Sequence, residues 1–235
     1  MYRNVFMYWV GKEYSLISIL RRRVYAHSKN ETEYKVHLIT HANLHEYMEN
    51  VPECFYSLCP AHQADVVRVH VICERGGIWL DSDTIVMGNL DSLFENIENK
   101  NGFFIKENNE VLWTGVFGSK PGTTLLIEWK HKIMDILRAK QNCIHWTEIG
   151  SCALAGLHME GYHILNGLDT VYPVNWNNCV REYVHEPYEN YKTIVREYQP
   201  IVVLVNSVYR ELEHMTEDEI LRGRMPLNYF LNKTC

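Results

Sequence analysis

The sequence predicts an α/β fold, and three observations carry that prediction. A short β-branched and aromatic run at 5–10 closes on Gly11, and an amphipathic run at 14–28 follows it. A second alternating run then occupies 34–40. Further on, Ile78, Trp79 and Leu80 follow a helical stretch and a Gly76-Gly77 turn, and they end abruptly on Asp81. Strand, helix, strand, and later a strand directly behind a helix, is the order of an α/β sheet.

Each element has its own signal. The run at 5–10 is too short and too apolar for a surface helix and reads as a buried strand. Leu16, Ile19, Leu20 and Val24 recur at helical spacing within 14–28. Arg21, Arg22 and Arg23 lie on that helix and read as its solvated flank. Pro60 opens a helix over 61–75, and Gly76-Gly77 stops it in the usual C-terminal place. Strands are predicted at 78–80, 84–87, 103–105 and 111–117. Leu126, Trp129, Ile133, Ile136 and Leu137 give an apolar side to a helix over 123–140. A shorter helix is predicted at 149–157 and a late buried strand at 201–205.

Composition narrows the function classes. The chain has 235 residues, 46% hydrophobic and 22% charged, which suits an ordinary folded domain and excludes intrinsic disorder. At this length roughly 70–75% of the unfolded surface can be buried. No linker, repeat or low-complexity stretch interrupts it, so one domain over 1–235 is the economical reading. Twenty-three Lys and Arg against 29 Asp and Glu give a net charge of −6, which argues against a nucleic-acid partner.

Seven Cys, an odd number without a CxxC, read as reduced thiols of a cytosolic protein. Cys54 and Cys59 could pair or bind metal, but partner ligands at zinc-site spacing are missing. None of the 12 His has such spacing either. There is no signal peptide and no run near the ~20 apolar residues that span a bilayer, so a cytoplasmic location without a membrane anchor is expected. The sequons at Asn30 and Asn232 read as chance.

The informative segment is 64–90, ADVVRVHVICERGGIWLDSDTIVMGNL. Asp65 and Arg68 are three apart and share a helix face. Asp81 and Asp83 follow the apolar strand at i and i+2, which point to one side in an extended segment. Two such carboxylates repel each other unless a cation is near. Hard oxygen ligands at a strand end suit Mg²⁺ or Mn²⁺, with coordination positions left for water and a diphosphate. Alone, a D-x-D would equally be a polar turn.

With Asp65, Arg68 and GGIWL placed around it, the segment resembles the D-x-D glycosyltransferases of the GT-A fold. Within them it is similar to the group with the yeast outer-chain α-1,6-mannosyltransferases, globotriaosylceramide synthase, bacterial capsule enzymes and the clostridial glucosylating toxins. The shared pattern, S/A-D-x-x-R followed by G-G-I/V-Y-x-D-x-D, stands here as 64–68 and 76–83. The resemblance implies a single Rossmann-like domain with a central mixed sheet flanked by helices. Its nucleotide-binding half would be about 1–90 and its acceptor half about 91–235.

The resemblance also implies roles. Asp65 and Arg68 would hold donor sugar hydroxyls, with Arg68 also near the diphosphate. Trp79, in place of the common Tyr, would line the nucleotide pocket. Tyr8, Trp9 and Val10 would hold the nucleobase, although Trp9 alone reads equally as a core aromatic. Asp81 would contact ribose, sugar or metal, and Asp83 would bind Mn²⁺ or Mg²⁺ directly. The segment 114–122 resembles the family's N-x-x-x-A-x-P-G-H, with Thr114 where Asn is usual. The stretch from Glu148 through Gly150 and Ser151 resembles a T-G-P turn that opens a helix near the transferring sugar, where a helix N-terminus could bind an anion or a hydroxyl. Glu148 would stand near the acceptor or serve as an exposed cap. The family's late metal ligand is frequently His. Here 201–210 reads IVVLVNSVYR, which leaves Asn206 or Ser207 to supply oxygen.

The expected activity is transfer of a sugar, with retention, from a nucleoside diphosphate to a glycan, glycolipid or protein hydroxyl. UDP-sugar, such as UDP-glucose, is the expected donor, with GDP-mannose next. Two other classes stay open. One is a nucleotide-sugar or carbohydrate binding module without turnover. The other is a haloacid-dehalogenase-type phosphatase, which would need Thr or Val four residues after Asp81, where this chain has Ile85, and a later acidic motif.

Overall fold

The computed structural model describes residues 3–30, 34–106, 111–140, 143–167, 181–190, 200–204 and 210–232. Its contacts group into two compact units that interleave along the chain. The first comprises 1–10, 34–81 and 91–165, and the second 11–33, 82–90 and 166–235.

The first unit is built on a mixed six-stranded sheet. Its strands are β1 (Asn4–Tyr8), β2 (Lys35–Ile39), β3 (Gly77–Leu80), β5 (Gly102–Lys106), β6 (Leu112–Ser119) and β7 (Tyr162–Asn166). Their spatial order is β2-β1-β3-β6-β5-β7. β1 pairs parallel with β2 and β3, while β6 pairs antiparallel with β3 and β5. Strand alternation sorts the side chains onto two faces. Phe6, Tyr8, Trp79, Phe104 and Phe117 turn to one face and share a buried core with α2 (Pro60–Arg75) and α4 (Thr124–Lys140). Ring stacking of Phe104 on Phe117, 5.1 Å apart, fixes the centre of that layer. α3 (Asp91–Asn99) packs against β3, β5 and β6.

The predicted strands and helices of this unit are present, with ends shifted by a residue or two. Gly76 and Gly77 do more than stop α2. Both have positive φ, 64° and 123°, and a Cβ on Gly77 would lie 2.5 Å from the Asn4 carbonyl oxygen. The turn therefore requires glycine where α2 hands the chain to β3. The helix expected over 149–157 is reduced to α5 (Ser151–Leu154), with left-handed Gly156 just beyond its end. α3 was not predicted, although Leu93, Phe94 and Ile97 supply its buried side.

The second unit holds α1 (Ser15–Asn30), a two-stranded antiparallel pair of β4 (Thr84–Val86) and β8 (Ile201–Val203), α6 (Glu217–Arg222) and α7 (Pro226–Asn232). Thr216 and Glu219 form a reciprocal capping box at the start of α6. The arginines expected as a solvated flank are engaged. Arg21 pairs with Glu13, Arg22 with Glu217 at 2.6 Å, and Arg23 donates to the Leu231 carbonyl at 2.6 Å. Among the described residues, no helix is long and apolar enough to cross a membrane. Cys54 and Cys59 are free thiols.

Candidate active site

α2 and the end of β3 bring the predicted residues of the first unit together. Asp65 and Arg68 are both buried. The Arg68 guanidinium is engaged on every side. Nη1 donates to Thr114 Oγ1 at 2.7 Å and lies 3.3 Å from Asp65 Oδ1. Nη2 donates to Asp81 Oδ1 at 3.1 Å, and Nε donates to the Ala64 carbonyl at 3.3 Å. Thr114, which replaces the family's Asn, thus keeps a polar role as the acceptor that holds Arg68. With its fork used this way, Arg68 positions Asp65, Asp81 and Thr114, and of the five guanidinium N–H donors these four contacts leave one, on Nη2.

Trp79 also differs from its expected role. It has no exposed surface, because its position on β3 turns the ring into the core shared with α2. It reaches the site through its indole N–H, which donates to Asp81 Oδ1 at 2.8 Å, and the Arg68 guanidinium lies 5.4 Å over its ring. Asp81 is further fixed by its own N–H, which donates to the Gly115 carbonyl at 2.8 Å.

Two glycines press backbone against the carboxylates. A Cβ on Gly115 would lie 2.7 Å from Asp81 Oδ2, and one on Gly150 would lie 3.2 Å from Asp65 Oδ1. The turn at 148–151 is therefore next to Asp65, as the resemblance implies, and the reason for glycine is room. α5 is a single turn, too short for the anion site expected at Ser151. Glu148 pairs with Lys140 and accepts from the His145 N–H at 3.0 Å, so it caps the turn. The Lys140 hydrogen bond, then the His145 backbone bond, holds its carboxyl below the usual range.

The electrostatics follow from this packing. Desolvation pushes Asp65 up to about 6, with Arg68 opposing and the Asp81 charge adding to the rise. Desolvation also raises Asp81, against the pull of Arg68 and the Trp79 hydrogen bond. The Asp81 side chain keeps 30% of its surface exposed.

At the end of β1, the Tyr8 hydroxyl donates to Gln63 Oε1 at 2.7 Å, and His41 Nε2 lies 2.9 Å from the same oxygen. Burial pushes the Tyr8 phenol up. The Trp9 backbone N–H donates to the Ile39 carbonyl at 3.0 Å, while Trp9 and Val10 remain half-buried. Gln63 and His41 were missed by sequence reading. Their signal in the sequence was position alone, Gln63 in the first turn of α2 and His41 just after β2.

Asp83 belongs to the second unit, where its carbonyl accepts from the Leu204 N–H at 2.9 Å. Burial, and then the charges of Asp83 and Glu213, push the Tyr14 phenol up. Asn206 and Ser207 lie outside the described residues. Among the described residues, no group of three or more His, Cys, Asp or Glu converges as a metal centre.

Comparison with known proteins fits this geometry. The profile that describes capsular polysaccharide synthesis proteins matches residues 1–146, which include Asp65, Arg68, Asp81 and Asp83. The chain belongs to that family. No curated protein sequence matches it. Among solved structures, this family member is similar to the galactosyltransferase LgtC in complex with donor and acceptor sugar analogues. The TM-score is 0.53 at 11% identity, over 86% of this chain and 87% of that one. A glycosyltransferase involved in glycosylation of the major capsid of PBCV-1 gives 0.51 at 14% identity, over 90% and 97%. GlyE of Streptococcus pneumoniae TIGR4 gives 0.52 at 14% identity, over 98% of this chain and 63% of that one. The fold is that of the GT-A glycosyltransferases, as the sequence resemblance implied. It leaves the phosphatase alternative without its scaffold.

Proposed function

We propose that this family member transfers a hexosyl group from a nucleoside-diphosphate sugar, a UDP-sugar by preference, to a hydroxyl of a glycan, glycolipid or protein acceptor. The observation that carries this reading is the Asp65–Arg68–Asp81 constellation, two carboxylates tied by one buried guanidinium and overlain by Gly115 and Gly150 backbone. Such a site orients a polyhydroxylated ligand, and orientation is a large part of what group transfer needs.

The donor set fits Mn²⁺ or Mg²⁺. Asp81 Oδ1 is occupied by Arg68 and Trp79, and Oδ2 lies on the side bordered by Gly115. With Asp83 two residues on, this gives two carboxylates, the number such a cation takes when phosphate oxygens complete its shell. The cation would be held by Asp83 directly and by Asp81, and when bound it offsets the charge that grows on the departing diphosphate. Asp65 accepts from sugar hydroxyls. Arg68 holds Asp65 and Asp81 at a fixed separation, and Trp79 fixes the Asp81 rotamer. The end of β1 receives the nucleobase beside Trp9 and Val10. Glu148 holds the turn that keeps Gly150 against Asp65. By its resemblance to mostly retaining enzymes, transfer keeps the donor anomeric configuration. A cytoplasmic site of action accompanies this reading.

The test is a donor screen with Mn²⁺ in which nucleotide release and sugar transfer are followed together. Release from a UDP-sugar, with product configuration read by NMR, is expected. Binding of UDP-sugars without any turnover would make the protein a binding module. In Asp65→Ala, affinity for the UDP-sugar is expected to fall about tenfold or more, the ~1.5–3 kcal/mol of a charged hydrogen bond, while UDP affinity holds. An equal loss for UDP would assign Asp65 to the nucleotide.

A further inference from the structure

We propose that His62 and Trp146 form a sugar subsite for the acceptor, with the apolar face of a pyranose ring on the indole and one of its hydroxyls at imidazole Nε2. The proposal deepens the glycosyltransferase reading and rests on it.

Three observations converge. His62, Asp65 and Arg68 follow one another at three-residue spacing along one side of α2. Arg68 touches Asp81, so His62 marks the end of this row away from the D-x-D carboxylate. It is close enough to Asp65 for its charge to act on that carboxyl. A row running from the diphosphate end through the donor-sugar carboxylate leads next to the acceptor.

Second, His62 is only 7% exposed, and its Nε2 is buried without a hydrogen-bond partner. Buried polar atoms in native proteins are normally satisfied, so an orphan of this kind beside a binding site needs an explanation. A sugar hydroxyl satisfies it, because a hydroxyl both donates and accepts and suits either imidazole tautomer.

Third, Trp146 is 67% exposed, the highest value among the large apolar side chains described. Its ring lies 6.2 Å from the His62 ring at 46°. A pyranose presents a face of C–H bonds with a rim of hydroxyls, and the negative face of an indole attracts such hydrogens. Apolar ring beside polar atom is the complement of that ligand. Since Nε2 is closed to solvent in this structure, seating the hydroxyl requires a neighbouring side chain to turn, and exposed Trp146 is placed to do so. The segment carrying Trp146 continues through Glu148 to Gly150, which rests on Asp65.

Saturation-transfer NMR tests this with the methyl glucopyranosides, galactopyranosides and mannopyranosides as probes, in the presence of UDP and Mg²⁺. At least one probe is expected to receive saturation from the wild type. That signal should drop at least fivefold in Trp146→Ala and in His62→Ala, while UDP affinity by calorimetry stays within twofold. Trp146 is exposed, so its variant keeps the fold, and His62→Gln replaces His62→Ala if the latter unfolds. Absence of any probe signal in a wild type that binds UDP overturns the subsite. So does an unchanged signal in both variants, or an equal loss of UDP affinity. A wild type that fails to bind UDP with the cation overturns the donor reading itself.

Discussion

Asp81 and Asp83 are two residues apart, yet they belong to different compact units and have different surroundings. Asp81 closes a strand of the six-stranded sheet, and its carboxylate is addressed by Arg68 and Trp79. Asp83 lies where the second unit begins its β4–β8 pair, its backbone tied to Leu204. The contrast separates two jobs that the motif D-x-D presents as one. Asp81 is part of a pre-set charge network whose partners are inside the protein. Asp83 is the residue proposed above to bind the cation directly. Stability should follow the first and turnover the second.

Replacing Asp83 is the sharpest way to break that division. Asp83→Ala is expected to lower Mn²⁺-dependent turnover by about 10²-fold or more, the scale of losing a principal electrostatic stabiliser. Its melting temperature should stay near the wild-type value. Near-normal turnover with Mn²⁺ supplied would remove Asp83 from the metal site.

Arg68→Met should act the other way round. It strips the compensating charge from buried Asp65 and from Asp81, and breaking a buried network of this kind costs about 3–5 kcal/mol. Denaturant titration should show that loss together with weakened UDP-sugar binding. Arg68→Lys should recover little, since one ammonium cannot serve Thr114, Asp65 and Asp81 at once. A stable Arg68→Met protein would mean that the network is not structural.

A smaller effect lies farther along α2. His70 is buried, its Nδ1 2.9 Å from the Val66 carbonyl, and desolvation lowers it from 6.5 to about 4. Between those values the unfolded chain holds the proton and the folded one does not. Stability is therefore fully present above 6.5 and falls as pH drops towards 4. At 1.36 kcal/mol per pH unit the span is about 3 kcal/mol. His37, lowered the same way, adds to the wild-type slope. Urea titrations from pH 7 to 4 should show a shallower slope in His70→Leu, with turnover at pH 7 unchanged. An identical slope would assign the acid sensitivity elsewhere.

How far the sequence could be read follows the same contrast. The helix, turn and strand of 61–83 were legible because their chemistry is contiguous: a proline start, a glycine stop, an apolar strand and its carboxylates. The inward turn of Trp79 was not, since an indole that binds a nucleotide and one that holds a carboxylate look alike in sequence. Nor was the steric reason for glycine at 115 and 150, which arises from the Asp81 and Asp65 side chains meeting their backbones in space. His62 fell on the readable spacing of Asp65 and Arg68, but only burial exposed its unpartnered nitrogen. α3 was missed because its apolar residues are few, and the late ligands Asn206 and Ser207 lie outside the described residues.

The central claim is that a divalent cation links these carboxylates to the donor diphosphate, and calorimetry of UDP tests it most directly. Without a cation, Asp81, Asp83 and the diphosphate repel one another. The account predicts weak UDP binding in EDTA and binding at least tenfold tighter in Mn²⁺, with the gain lost in Asp83→Ala. Equal affinity in EDTA and Mn²⁺ would contradict it.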